Sequence, residues 1–409
     1  MRQLTATSRA AAARSGQPQR PRAALPALCL TQITSWGIVY YAFPVLNPQI
    51  TTATGWSAAT TTGAFSAALV VSAVAGIRIG RILDARGPRT VMTAGSVVGT
   101  ASLIIIATAP NLALFTIGWL LAGLAMASTF YQPAFAALTR WWAPEHVRAL
   151  TVVTLAGGLA STVFAPLTAL LASHYSWRHT YLILAAVLAA VTVPAHALAL
   201  RGPWPPAPAR TATGKALSTA AIARSRPFLF LAAALTLSAF AMYAVVITLV
   251  PLLLDRGYSP AQAAWALGLG GAGQTLGRTL YATLARRSPP ALRATVLIAL
   301  GGSTTAAFAL IPGPYPLLAT LAVLAGTVRG NLTLLQATAI TDRWGTHHYG
   351  RLSGLLAAPA TTASALAPFA GTALALPLGG YPHLFAALAL VSALAAVMAW
   401  QTTPTDNPR

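Results

Sequence analysis

Residues 228–254 read FLFLAAALTLSAFAMYAVVITLVPLLL, without one Asp, Glu, Lys, Arg or His. A helix of about 20 such residues crosses roughly 30 Å of hydrocarbon. Similar stretches recur on both sides, and together they predict spans at 24–46, 58–79, 90–108, 112–138, 150–172, 179–200, 228–254, 261–284, 294–311, 317–339, 352–376 and 383–401. In lipid the backbone must satisfy its own hydrogen bonds, so each span is expected to be a helix. Short polar breaks separate them, as at Pro110-Asn111 and across 312–316. The expected fold is an all-α membrane protein of twelve transmembrane helices.

Composition agrees. Hydrophobic residues make up 56% of the 409 and charged residues 8%, against about 25% charged in ordinary globular proteins. So few charges cannot cover a soluble enzyme, and so many apolar residues exclude a disordered chain. Cys29 is the single cysteine, which rules out a disulfide framework and a cysteine metal cluster. No Ser/His/Asp set, metal site or phosphate loop stands out. Enzyme activity, a metal and a cofactor are therefore not expected.

The net charge of +21 would suggest nucleic acid in a soluble chain. Its distribution points elsewhere. With the N-terminus in the cytoplasm, only Arg178 and Arg256 fall in outside loops, and Arg278 and Arg329 fall within spans. Every other Lys and Arg faces the inside, as the positive-inside rule requires. The basic loops then lie on an anionic leaflet of a plasma (inner) membrane, with both termini cytoplasmic and no nucleic-acid partner. Residues 1–22, with Arg2, Arg9, Arg14, Arg20 and Arg22, read as a basic tail. The first span is longer than the apolar region of a cleaved signal peptide. Pro203, Pro205, Pro206 and Pro208 mark 201–227 as a cytoplasmic linker. It divides a bundle at 23–200 from one at 228–401, with a short tail at 402–409.

The two bundles repeat. Leu121-Ala-Gly123 recurs as Leu324-Ala-Gly326, Arg140-Trp141 as Arg343-Trp344 and Arg148 as Arg351. Ala165-Pro166 recurs as Ala367-Pro368, and Gly55-Trp-Ser57 as Gly257-Tyr-Ser259. The offset stays at 202 or 203 throughout. Two pseudo-symmetric six-helix halves in parallel, with a site near the midplane between them, resemble the major facilitator architecture.

The stretch after the second span strengthens that resemblance. Gly80-Arg-Ile-Leu-Asp84-Ala-Arg-Gly87-Pro-Arg89 is similar to the superfamily signature G-x-x-x-D-R-x-G-R-R. Gly80, Asp84, Gly87 and Arg89 match; the Arg expected after Asp84 is Ala85, with Arg86 one place later. The resemblance implies a loop that, with Arg148, latches the cytoplasmic side. Gly55-Trp-Ser57, Gly87-Pro-Arg89 and Gly277-Arg278 further resemble the monocarboxylate and oxalate/formate branch.

All five acids, Asp84, Glu145, Asp255, Asp342 and Asp406, fall outside the predicted membrane interior. Arg278 and Arg329 fall inside it. A charge in mid-membrane is costly, so it normally faces a cavity and has a partner. With no carboxylate beside them, an anionic small-molecule substrate is the simplest partner. The branch resemblance implies that Arg278 holds a substrate carboxylate, and a guanidinium fork suits that geometry. A gate arginine paired to a backbone carbonyl is the alternative. Gln274, one turn earlier, stands where the monocarboxylate family has an acid, and the lysine that helps bind oxalate is absent from 352–376. Trp36, Tyr40, Tyr131, Gln132 and Tyr243 are further candidates for the cavity wall, with Gln32 one turn before Trp36. Trp141, Trp142, Trp177 and Trp344 read as interfacial belt residues.

The expected function is transport of a small organic anion, such as a monocarboxylate, by alternating access of a monomer in the lipid bilayer. A drug or metabolite exporter and a non-transporting receptor stay open as alternatives. The topology is checkable. In a Cys29→Ser background, Ser259→Cys should react with an impermeant thiol reagent from outside, and Ser288→Cys only from inside. Labelling of both from one side would break the twelve-span arrangement.

Overall fold

A computed structural model describes residues 21–142, 146–204, 219–344 and 349–402. Most of the basic tail, linker residues 205–218, the end 403–409 and the side chain of Asp84 lie outside the described residues. Helix α1 spans 24–54, as Ala24–Ser35, a π-wound segment Trp36–Tyr41 and Ala42–Thr54. Then come α2 (Ala58–Arg86), α3 (Pro88–Thr108), α4 (Leu112–Thr129 and Tyr131–Trp141), α5 (His146–Gly158 and Ala160–His174) and α6 (Trp177–Pro194, extended by Ala195–Ala199). The second set is α7 (Arg226–Asp255), α8 (Pro260–Arg287), α9 (Pro290–Leu310), α10 (Tyr315–Thr338), α11 (Tyr349–Ala375) and α12 (Tyr381–Trp400).

Among the described residues, nine of these helices are long and apolar enough to cross a membrane. The other three are α1, α8 and α11. They carry Gln32, Trp36 and Tyr40, then Gln274 and Arg278, then Thr361 and Ser364. Polar groups turned into the protein interior lower the apolarity of the helices that bear them.

Helix ends differ from the sequence reading in instructive ways. Gly80 to Arg86 belong to α2, not to a loop, and the whole connection to α3 is Gly87 at φ 78°. Only glycine takes that conformation freely, and Pro88 starts the next helix, where its missing N–H costs nothing. A Cβ at Gly80 would meet nothing within 4 Å, so no close helix approach occurs there. The repeated Gly55-Trp-Ser57 and Gly257-Tyr-Ser259 are stop-and-start signals. Each glycine has positive φ, and Ser57 and Ser259 cap the next helices by accepting from Thr60 N (3.1 Å) and Gln262 N (3.2 Å).

Packing repeats between the two sets. α2 lies against α4, and α3 against α4 and α6; correspondingly α8 lies against α10, and α9 against α10 and α12. Across the sets, α5 packs on α8 and α2 on α11. The repeated Leu-Ala-Gly acquires a physical meaning here. A Cβ at Gly123 would strike the Ala68 carbonyl, and one at Gly326 would strike the Gly270 carbonyl. Gly273, Gly277 and Gly330 press in the same way on the backbones of Val323, Thr327 and Gln274. Small residues let backbones approach where lipid supplies no hydrophobic drive for helix association.

Arg178 and Arg256, the two arginines expected in outside loops, are helix caps. Arg178 donates to the Ala107 carbonyl (2.7 Å) at the end of α3. Arg256 donates to the Ile311 (2.8 Å) and Phe308 carbonyls at the end of α9. At the opposite end, Arg293 pairs with Asp342, and burial pushes the nearby Arg343 guanidinium down to about 10. Two tryptophans depart from the belt expectation. Trp141 is buried with its Nε1 on the Pro203 carbonyl (3.0 Å), and Trp177 is buried against Phe115 and Tyr181. The exposed rim tryptophans are Trp265 and Trp400.

Alanine should have opposite effects at two of these glycines. Gly326→Ala should destabilise the protein by roughly 1–3 kcal/mol through overpacking on rigid backbone. Gly80→Ala should raise stability by roughly 0.5–1 kcal/mol, since it fills open helix surface. Unfolding midpoints of the purified variants in one detergent check both.

Candidate functional site

The central cavity starts from two proline-driven irregularities. Pro133 lacks an N–H and crowds the carbonyl four residues earlier, at Thr129. α4 breaks there, with Phe130 extended between its two pieces. Gln32 of α1 supplies the missing donor, with Nε2 2.7 Å from the Thr129 carbonyl. Gln32 is thus a buried clasp rather than part of the cavity wall. In α1, Pro44 likewise cannot donate to Tyr40, and the turn just before it is π-wound. That wider winding brings Trp36, Tyr40 and also Tyr41 to one side. Such segments recur at functional sites.

The aromatic wall is continuous. Trp36 stacks on Phe130 at 4.1 Å between centroids, with Tyr131 at 5.2 Å and Tyr40 at 5.4 Å. On the opposite side, α8 and α10 present Gln274, Arg278, Arg329 and Thr333. Trp36, Tyr40, Tyr41, Tyr131, Tyr243 and these polar residues line one cavity of about 120 Å³. Seven of the expected site residues therefore converge. Gln132 does not join the arginines. It is exposed and lines adjoining space between α2 and α4, with its amide oxygen beside Gly76.

The two arginines have different partners. Arg278 is buried, and its Nη1 donates to the Thr154 carbonyl of α5. Gly158 makes room for it, since a Cβ there would lie 3.1 Å from Nη1. Gly157 makes room for the Tyr131 hydroxyl in the same way. Arg329 has no hydrogen bond from its guanidinium to any described residue. Its Nε and Nη2 are buried and unpartnered, as is Nε of Arg278. Among the described residues, no acid lines the cavity. Met242 and Val246 of α7 complete the wall.

A second space of about 280 Å³ shares Trp36, Tyr40, Tyr131 and Tyr243 with the first, and continues between α2 (Ser72, Ala73) and α11 (Thr361, Ser364). It lies toward the Gly87 end of those helices. Toward their other end α2 and α11 close. The Ser66 hydroxyl accepts from the Phe369 N–H at 3.0 Å, and Phe369 packs on Gly63.

At the gate motif, Gly87 lies under the Trp204 ring, which would contact any Cβ added there. Arg140 stacks on the same ring at 4.3 Å. Arg89 Nε donates to the Ala197 carbonyl (2.9 Å) at the end of α6, and Arg148 is exposed at the start of α5. The side chain of Asp84, which the resemblance would place in a cytoplasmic latch, lies outside the described residues.

Tyr41 and Thr333 are cavity residues that sequence spacing missed. The Tyr-Tyr pair before Pro44 was the available signal, because a proline-induced π turn puts adjacent residues on one side.

The family model described as Major Facilitator Superfamily matches residues 28–356 and 255–409. Monocarboxylate transporter 13 of Bos taurus is 28% identical over 275 residues, covering 66% of this chain and 63% of its own. The chain thus spans somewhat less than two thirds of the length of the curated relatives it matches first. Among solved structures, the nucleoside transporter NupG in a mutant form superposes with a TM-score of 0.75 at 14% identity, over 93% of this chain and 98% of that one. A bacterial homolog of the human lysosomal transporter Spinster, inward-facing and occupied, superposes at 0.72 with 15% identity, over 92% and 96%. At such identities these likenesses show the fold alone.

The two glutamines should behave differently. Gln32→Leu should cost roughly 1–3 kcal/mol, because it strands the Thr129 carbonyl. Gln132→Leu should stay within about 0.5 kcal/mol, as exposed substitutions do. Chemical or thermal unfolding of both variants decides whether Gln32 is the clasp.

Proposed function

The chain belongs to the major facilitator superfamily, and on that premise we propose that it is a secondary transporter of a small organic anion, a monocarboxylate being the favoured class. It acts as a transporter, not an enzyme, with one central site between the two six-helix halves. The observation that carries the substrate class is the unpartnered Arg329 guanidinium in a cavity that no acid lines. A buried cation without a counter-charge is costly, and a carboxylate on its nitrogens would relieve that cost with charge-assisted hydrogen bonds.

Each wall has a role on this reading. Arg329 is the main anion anchor. Arg278 is the second, with one nitrogen already held by Thr154. Gln274 and the hydroxyls of Tyr40, Tyr131 and Tyr243 complete the polar contacts. Trp36 and Tyr41, with Met242 and Val246, accommodate the apolar remainder. The lack of an acid disfavours substrates that also carry an ammonium group. The monocarboxylate relatives support the same class.

Alternating access follows from the packing. The crevice between α2 and α11 extends the cavity toward the Gly87 end, while Ser66 and Phe369 join α2 to α11 toward the other. Rocking of one half against the other would exchange these two conditions. Gln274, in place of an acid, argues against a proton relay through that position.

The test is a thermal-shift screen of carboxylates on purified protein, since a ligand of the folded state raises apparent stability. For any hit, Arg329→Gln should weaken binding more than tenfold per folded molecule, in line with the roughly 2–5 kcal/mol lost when one partner of a buried charge pair is removed. Arg329→Lys should recover only part of it, because a compact, strongly hydrated ammonium on a flexible stem is held less well in place than the guanidinium. Arg278→Gln should weaken binding less. Unchanged binding by folded Arg329→Gln would overturn the anion reading, and binding without counterflow in proteoliposomes would favour a receptor.

A further inference from the structure

Arg329 faces two cavities. Behind it, enclosed by α7, α8, α9, α10 and α12, lies a separate space of about 60 Å³. A single water needs roughly 10–15 Å³ on such a scale, so this space has the size of a small ion with some of its hydration. Apolar cavities stay dry, but this one is lined by Ser238, Thr304, Thr305 and Ser392 as well as Arg329, with no acid.

The orientation of the guanidinium is informative. Nε and Nη2 are the buried, unpartnered nitrogens, whereas Nη1 is not among the buried ones. Nη2 lies 3.9 Å from the place of a Cβ on Gly270, and Gly270 lines the rear space but not the central cavity. The two-donor edge is therefore turned toward the rear, and Nη1 is left for the central site. Thr304 and Thr305 donate to the Gly301 carbonyl (2.9 Å each), and Ser392 to the Leu388 carbonyl (2.9 Å). Those carbonyls belong to helical backbone, so the hydroxyls can turn away without stranding them. The Ser238 hydroxyl has no partner among the described residues and is free to point its proton inward.

We propose that the rear space is a binding site for one monatomic monovalent anion, a halide, held by the Nε–Nη2 edge of Arg329 and by hydroxyl protons from Ser238 and its neighbours. Water alone would solvate the guanidinium but leave its charge uncompensated in a low-dielectric interior. A halide supplies that compensation while the central cavity holds no substrate anion. The site lies behind the proposed substrate site and shares Arg329, Met242 and Val246 with it, whereas Ser238, Thr304, Thr305 and Ser392 line the rear space alone.

The test needs no organic substrate. Purified full-length protein is unfolded thermally in sodium gluconate and then with chloride or bromide at constant ionic strength. A saturable rise of about 1–2 °C is expected at tenfold over the dissociation constant. Ser238→Val, which fills the rear space and removes a hydroxyl without touching the central cavity, should abolish the rise, as should Arg329→Gln. Arg278→Gln should keep it. Bromide anomalous scattering should place the ion between Arg329 and Ser238. The proposal is overturned if halides match gluconate in wild-type protein. It is equally overturned if the rise survives in folded Ser238→Val, or is lost in Arg278→Gln, which would put the ion in the central cavity. A carboxylate-dependent shift without a halide-dependent one would leave the substrate reading standing and remove this one.

Discussion

The backbone seam between α8 and α10 sets the geometry on which the cavity depends. A Cβ on Gly326 would strike the Gly270 backbone, and one on Gly273 or Gly277 would strike Val323 or Thr327. In a bilayer such contact replaces the hydrophobic drive that holds soluble helices together. It also fixes the relative height and rotation of the two helices. Gln274 and Arg278 on one, and Arg329 and Thr333 on the other, follow from that registration. The seam spends side-chain volume on proximity, and its glycines together with Gln274 and Arg278 leave α8 less apolar than an ordinary span.

The first six helices use the same frame differently. Gly123 against Ala68 repeats the contact of Gly326 against Gly270, yet the repeat puts Met126 where Arg329 stands and Gly76 where Arg278 stands. In place of charge, this half offers an aromatic wall produced by two prolines. Pro133 breaks α4 and sets Phe130 against Trp36; Pro44 follows the π turn that gathers Tyr40 and Tyr41. One half thus supplies cations and the other aromatic surface. The scaffold is close to two-fold, but the chemistry it presents to the space between the halves is not.

This division explains what was legible in the sequence. Apolar length marked the helices, because lipid leaves the backbone no alternative partner. Intramembrane charge marked Arg278 and Arg329, because such charges are rare and must face a cavity. Residues whose role depends on a tertiary partner were not legible. Gln32 looked like cavity wall until Pro133 was seen to orphan the Thr129 carbonyl. Trp141 looked like a belt residue until the Pro203 carbonyl was found on its indole. Gly80 to Arg86 looked like a loop because charges cluster there, yet a helix carries charges readily once it emerges from hydrocarbon. The rear space behind Arg329 has no signature in one dimension, since five helices contribute to it.

The two arginines also occupy different mechanical positions. Arg278 belongs to α8 of the second half, but its Nη1 is bound to a carbonyl of α5 in the first. Thr275 reaches the neighbouring Leu155 carbonyl, and the Thr162 hydroxyl returns to the Gly268 carbonyl. These bonds cross the plane along which the halves would rock. Arg329 makes no such bond and lies wholly within the second half. An anion drawn to both would sit on one cation whose position is set inside a rigid bundle, and on another that is already a tie between bundles. Each donor that Arg278 gave to the anion would compete with a bond that holds α5 to α8. Occupancy and the α5–α8 contact would then be linked through one side chain. Such linkage is a physical requirement for alternating access, since a ligand shifts a conformational equilibrium only by what it contributes differently to the two states.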